Sequence, residues 1–111
     1  MRNISFMLTT EQVKNRTKTV TRRKKWLNLK PGEVLQGCVK CQGLKPGEPL
    51  TKLAKVRVVS VRREPLNTIT KEDCIAEGFP SFTPAEFVEM FCEHMGGDPW
   101  QEVTRIEFEY V

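Results

Sequence analysis

No run of apolar residues in this 111-residue chain approaches the roughly 18–20 that a membrane-crossing helix needs. No membrane partner is therefore expected. The start, Met1-Arg2-Asn3-Ile4-Ser5-Phe6-Met7-Leu8, has a very short apolar stretch and no small-residue cleavage site. It reads as a first strand rather than a secretory leader, and the expected location is cytoplasmic. In that setting the four cysteines carry little expectation of disulfides. Cys38-x-x-Cys41 is half of a zinc knuckle without its second half, because Cys74 and Cys92 are 18 apart and His94 is the only histidine. No metal is expected, and the thiols read as small buried hydrophobes or reduced bystanders. There is no nucleotide-triphosphate loop, redox motif, internal repeat or low-complexity tract, so no cofactor is expected either.

What is present is a soluble composition, 39% apolar and 29% charged, in a length that suits one domain over 1–111. A monomer is the favoured state. The net charge is +4, but its distribution is more informative. Residues 1–63 carry 16 Lys/Arg against 3 Asp/Glu, and residues 64–111 carry 2 against 11. Such asymmetry suits a positive face that steers a phosphate-bearing ligand, or two halves that neutralise each other on folding.

Strand and helix signals alternate. Residues 3–8 read as a strand. A short helix over 9–16 follows, with Thr9 and Gln12 as a capping box. Residues 17–23 are β-branched and extended. Pro31-Gly32 marks a turn before a strand over 33–41, and residues 43–49 form a loop. The valines between 53 and 63 favour a long strand. Thr70 opens a helix that Gly78 closes. Thr83-Pro84-Ala85-Glu86 opens another, with Thr83 as cap, Pro84 at the first helical position and Glu86 completing the box. Phe82 and Phe87 occupy the staple positions. Phe87, Phe91 and Met95, with Met90, form an apolar stripe read as core. A closing strand over 103–111 puts Ile106, Phe108 and Tyr110 on one face. The order suits an α+β fold, either a mixed sheet closing into a small barrel with helices beside it or an open sandwich.

The densest chemical feature runs from Lys14 to Trp26, with seven basic residues and no acid. Basic side chains neutralise phosphates and an indole can stack on a base. A solvated basic edge strand has the same composition. Within this stretch, Arg16-Thr17-Lys18-Thr19-Val20-Thr21-Arg22-Arg23 resembles the ASCH signature G-x-K-x-x-[E/T]-x-R. Lys18, Thr21 and Arg23 match, and Arg16 stands at the glycine. Lys30-Pro31-Gly32-Glu33 resembles the family's K-P-G-[DE] turn. Glu77-Gly78-Phe79 and Arg105-Ile106-Glu107-Phe108 look like the small prophage-type ASCH proteins.

The resemblance implies a PUA-like small mixed β-barrel with two to three flanking helices, a fold associated with RNA and modified nucleotides. One branch of the group, the N4-acetylcytidine amidohydrolases, uses a Lys, a Thr three residues later and a downstream Glu. By that resemblance Lys18, Thr21 and Glu77 are the catalytic set. Arg16, Arg22, Arg23, Lys24, Lys25 and Trp26 are candidate substrate or RNA contacts, and the partner is a modified nucleoside or RNA. Amide hydrolysis needs a nucleophile, a base and donors for the oxyanion. Crowding by Arg16, Arg22 and Arg23 would loosen the Lys18 proton, and Arg23 would hold a phosphate or the acyl oxygen. A regular strand sends positions 18 and 21 to opposite faces. Both reach one pocket only if Lys18 precedes the strand. The alternative is a non-catalytic RNA-binding module with a basic cleft.

Overall fold

The computed structural model describes residues 1–111. It has five strands and three α-helices in the order β1 (Arg2–Ser5), α1 (Thr10–Lys14), β2 (Val20–Arg23), β3 (Val34–Cys38), β4 (Lys52–Pro65), α2 (Lys71–Ala76), α3 (Pro84–Met95) and β5 (Glu102–Tyr110). Short 3₁₀ turns at Met7–Thr9 and Leu66–Thr68 lead into α1 and α2. None of the helices is long and apolar enough to cross a membrane.

The strands pair in the order β1-β3-β4-β5-β2, with β1 parallel to β3 and the other pairs antiparallel. The sheet curls into a half-barrel. Its two edge strands approach each other: Arg23 at the end of β2 donates from Nη2 to the Ser5 carbonyl at the end of β1, at 2.6 Å. The same guanidinium lies 5.4 Å from the centroid of the Phe6 ring. The α+β class read from the order of elements is that of the structure, and the curl is the one that the ASCH resemblance implied.

Alternation along β5 builds two cores. Ile106 and Phe108 face one side, with Ile4, Phe6, Leu35 and Val56. Val103 faces the other, beneath α2 and α3, with Leu66, Cys74, Phe87 and Phe91. Gly37 on β3 permits the close approach of Phe6, since a Cβ there would stand 2.9 Å from both the Phe6 ring and the Ala54 carbonyl. Helix α3 begins as its sequence dictates. The Thr83 side chain accepts from the Glu86 amide, and the Glu86 carboxylate accepts from the Thr83 amide.

The first sixteen residues and the end of α3 depart from the sequence reading. The opening strand ends at Ser5 rather than residue 8, because the chain turns once Phe6 has entered the core. The Thr9–Gln12 capping box does not form. A 3₁₀ turn precedes α1, and the Gln12 amide donates instead to the Gly78 carbonyl at 3.2 Å. Met95, read as core, is exposed at the end of α3.

Candidate functional site

The site begins with two chain reversals that lock together. Helix α1 ends at Asn15, and Arg16 then takes φ +59°, the left-handed conformation natural to the glycine of the signature. The amides of Thr17 and Lys18 both turn back to the Gln12 carbonyl, at 2.9 and 3.3 Å. Helix α2 ends at Glu77, followed by Gly78 at φ +100°. A Cβ on Gly78 would stand 2.7 Å from Gln12 Cγ, so only glycine lets the two reversals touch. The Thr19 amide then bonds the Ala76 carbonyl at 2.8 Å, and the Tyr110 hydroxyl donates to the Lys18 carbonyl at 2.5 Å. These ties place Lys18 before β2 begins, against the end of α2.

The Lys18 ammonium donates to Glu77 Oε1 at 2.7 Å and to the Glu77 carbonyl at 2.8 Å. Lys18 is 2% exposed and Glu77 3%. Burial pushes the Lys18 amine below the ordinary lysine range; Glu77 opposes this, and the Arg23 and Arg22 charges add to it. The lowering expected from the sequence is thus present, but desolvation is its largest cause. Arg16 is not among the causes, since its guanidinium points away and lies 5.3 Å over the Tyr110 ring.

Strand β2 then divides its two arginines. Its register pairs Thr21 with Ile106 and Arg22 with Arg105, on opposite faces. Arg22 turns toward α2 and meets three carboxylates: Asp73 at 2.6 Å, Glu64 at 2.9 Å and Glu77 at 3.3 Å. Burial alone would lower its pKa, but the Asp73, Glu77 and Glu64 interactions raise it overall. Arg105 closes the network onto Asp73 at 2.7 Å. Hydrogen bonds from Arg105, aided by Arg22, hold the Asp73 carboxyl at about 2 against the opposing effect of burial.

Thr21 and Arg23 face the other way. The Thr21 hydroxyl accepts from Arg23 Nε at 3.1 Å. Arg23 has no carboxylate partner, and burial lowers its pKa to about 10, with Glu77 opposing.

These groups line one cavity of about 340 Å³ where the two cores meet. Ser5, Lys18, Thr21, Arg22, Arg23 and Glu77 supply its polar wall. Phe79, Phe87, Met90, Phe91 and Met95 supply an apolar wall, with His94 beside them. The α3 stripe therefore fills the second core and also lines the cavity. A second cavity, about 220 Å³, shares Arg22, Arg23, Phe91 and Met95 with the first and adds Lys24, Lys25 and Trp26.

The structure thus gathers Lys18, Thr21, Glu77, Arg22 and Arg23 at one place and Lys24, Lys25 and Trp26 next to it. It leaves Arg16 outside. The Lys18 ammonium bonds Glu77 and not Thr21. Trp26 is half-buried against the first core, with Arg2 5.0 Å over its ring. Lys24 reaches the Met95 carbonyl at 3.0 Å. Sequence reasoning missed Asp73, Glu64 and Arg105, which hold Arg22, and Ser5, Phe79 and His94 in the wall. The four cysteines are free, and no three His, Cys, Asp or Glu side chains form a metal-binding group.

No protein-family model matches the chain, and no curated protein matches it significantly. Solved structures do match. Protein EF3133 from Enterococcus faecalis, of the family DUF984, superposes with a TM-score of 0.65 at 18% identity over 100% of this chain and 76% of its own. An ASCH domain from Lactobacillus crispatus gives 0.68 at 14% identity over 98% of this chain and 78% of its own. Hypothetical protein PH0355 gives 0.65 at 19% identity over 99% and 96%. The likeness is one of architecture: the chain has an ASCH-type fold.

Proposed function

We propose that this ASCH-fold chain is a small amidohydrolase that removes the acyl group from N4-acylated cytosine nucleosides. One observation carries the reading. Lys18, Thr21 and Glu77, drawn from two distant stretches of sequence, line the same cavity. At about 340 Å³ that cavity lies at the small end of the range for small-molecule sites, about 300–1,000 Å³. Its apolar wall suits the face of a base and its polar wall suits an amide.

The chemistry follows from the hydrogen bonds. The Thr21 oxygen accepts from Arg23, which leaves its own proton free to be given up. Lys18 passes a proton to Glu77 along their 2.7 Å bond, and the neutral amine takes the proton of Thr21. The Thr21 oxygen attacks the acyl carbon to form a tetrahedral oxyanion. Lys18 returns the proton to the departing exocyclic amine. Neutral Lys18 then deprotonates the water that cleaves the threonyl ester and hands that proton to the Thr21 oxygen; the carboxylic acid leaves, and Glu77 returns its proton to Lys18. The net reaction consumes one water and yields the acid and the free cytosine nucleoside.

The test is incubation with N4-acetylcytidine while cytidine release is followed by chromatography. Release is expected, and Thr21→Ala and Glu77→Gln should each abolish it. The rising limb of its pH profile should fall below the ordinary lysine range. No release at high protein concentration would reject the reading for this substrate.

A second reading rests on the exposed Lys24 and Lys25 beside the cavity: a non-catalytic module that holds RNA. Its mark is association with single-stranded RNA that falls steeply with salt. Salt-insensitive or absent association excludes it.

A further inference from the structure

The basic stretch splits in the fold into residues whose charge is neutralised and residues whose charge is not. Lys18 faces Glu77, and Arg22 faces three carboxylates. Arg23, Lys24 and Lys25 are consecutive, and no carboxylate lies within ion-pair distance of any of them. All three line the smaller cavity, whose lining contains no acidic residue. Arg23 is held in place there: Nε is fixed on Thr21 and Nη2 on the Ser5 carbonyl. A guanidinium fixed by neutral partners and followed by two lysines, of which Lys24 also donates to the Met95 carbonyl, has the make-up of an anion receptor.

The position of this receptor relative to the Lys18–Thr21–Glu77 cavity sets the geometry of the ligand. The two cavities share Arg22, Arg23, Phe91 and Met95, so they lie side by side. The larger has an apolar wall and the hydrolytic groups; the smaller is cationic. A single ligand that fills both has an uncharged planar end and an oxyanion end. From this arrangement we propose that the smaller compartment is a phosphate subsite, and that the ligand is a phosphorylated nucleoside with its base in the larger compartment. The base end rests on the reading proposed above; the phosphate end rests on the charges alone. The phosphate comes either from a free mononucleotide or from an RNA backbone.

Calorimetric titration at low salt separates these cases without requiring turnover. The probes are cytidine, cytidine 5′-monophosphate, inorganic phosphate and a short single-stranded oligoribonucleotide. One or more charge-assisted contacts imply that the monophosphate binds about ten- to a hundredfold more tightly than cytidine. Inorganic phosphate should compete with it. Lys24→Ala/Lys25→Ala, at exposed positions, should shrink the preference, and Arg23→Gln should remove it, with thermal unfolding as the check on folding. Tighter binding of the oligonucleotide than of the monophosphate assigns the subsite to a chain phosphate; the reverse assigns it to a free nucleotide.

Equal binding of cytidine and its monophosphate by the unmodified protein overturns the proposal. So does the absence of phosphate-dependent binding by every probe at millimolar concentration. Failure of N4-acetylcytidine turnover alongside a preserved phosphate preference rejects the hydrolase reading and leaves the subsite standing.

Discussion

Replacing Glu77 by Gln is expected to damage this protein more than replacing Glu77 and Lys18 together. In the folded state both side chains are almost wholly removed from water and sit 2.7 Å apart. Removing one partner of a buried pair costs about 3–5 kcal/mol, because the other charge is left without compensation. Gln at position 77 still offers one amide oxygen, and the Glu77 backbone carbonyl still accepts from Lys18, which places the loss near about 3 kcal/mol. Lys18→Met leaves Glu77 facing Arg22 alone, at 3.3 Å, and should cost a comparable amount. The double variant Lys18→Met/Glu77→Leu removes both charges and keeps the volume filled. Arg22 retains Asp73 and Glu64. Such replacements are often neutral or stabilising, so the double variant should be more stable than either single one. The assay is urea unfolding followed by circular dichroism. With slopes of about 1–3 kcal/mol per molar urea, a loss of about 3 kcal/mol moves a single variant's midpoint by roughly 1–3 M. If the double variant loses the sum of the single losses, the two groups act independently and the reasoning is refuted.

Three other outcomes follow from the same geometry. Asp73→Asn removes the carboxylate that binds Arg22 and Arg105. Because the folded Asp73 pKa is about 2, below the ordinary aspartate value of 3.8, its contribution is present above pH 4 and is lost as pH falls toward 2. After screening by solvent it is worth about 1–2 kcal/mol, so a pH series of unfolding midpoints should lose that step in the variant. Gly78→Ala forces a side chain into a φ of +100° and into Gln12, and should cost about 1–3 kcal/mol in chemical denaturation; a cost near zero would mean the two reversals do not touch. Thr83→Ala removes the cap of α3 and should cost about 1 kcal/mol, read as a small fall in melting temperature with unchanged spectra.

What the sequence revealed and what it hid divide along range. The cap of α3 is written in four consecutive residues, and it forms as written. The closing strand alternates in the sequence and alternates in the sheet. Thr9 and Gln12 have the same local spelling as Thr83 and Glu86, yet Gln12 goes to Gly78, sixty-six residues away. A tertiary partner outbid the local one, and no short-range rule reports that. Lys18 and Glu77 were legible as a pair only through resemblance, because the contact is made by two chain reversals whose meeting depends on the absence of a side chain at Gly78. The Arg22 network was not legible at all. Its acids come from β4, α2 and the end of α2, and each reads locally as an ordinary surface charge.

The charge asymmetry is the feature whose meaning changed most on folding. A basic first half and an acidic second half admit a cationic face or mutual neutralisation, and the fold uses both. Lys18 and Arg22 in the basic half meet Glu77, Asp73 and Glu64 in the acidic half, and Arg57 meets Glu109. Neutralisation therefore takes up the side chains that β2 and its approach turn toward α2. Strand alternation decides which arginine is spared. Arg22 and Arg23 are adjacent and chemically identical, but a period of two sends one into a cage of three carboxylates and the other across the mouth of the half-barrel, where it meets a hydroxyl, a carbonyl and an aromatic ring. A one-residue slip of β2 against β5 would exchange their roles. It would leave the carboxylates facing Thr21 and Arg23 and turn Arg22 into the cleft, which would keep a guanidinium but lose its hydroxyl. The register that keeps Thr21 opposite Ile106 is thus the same constraint that keeps the Arg23 guanidinium, clear of every carboxylate, beside the Thr21 hydroxyl.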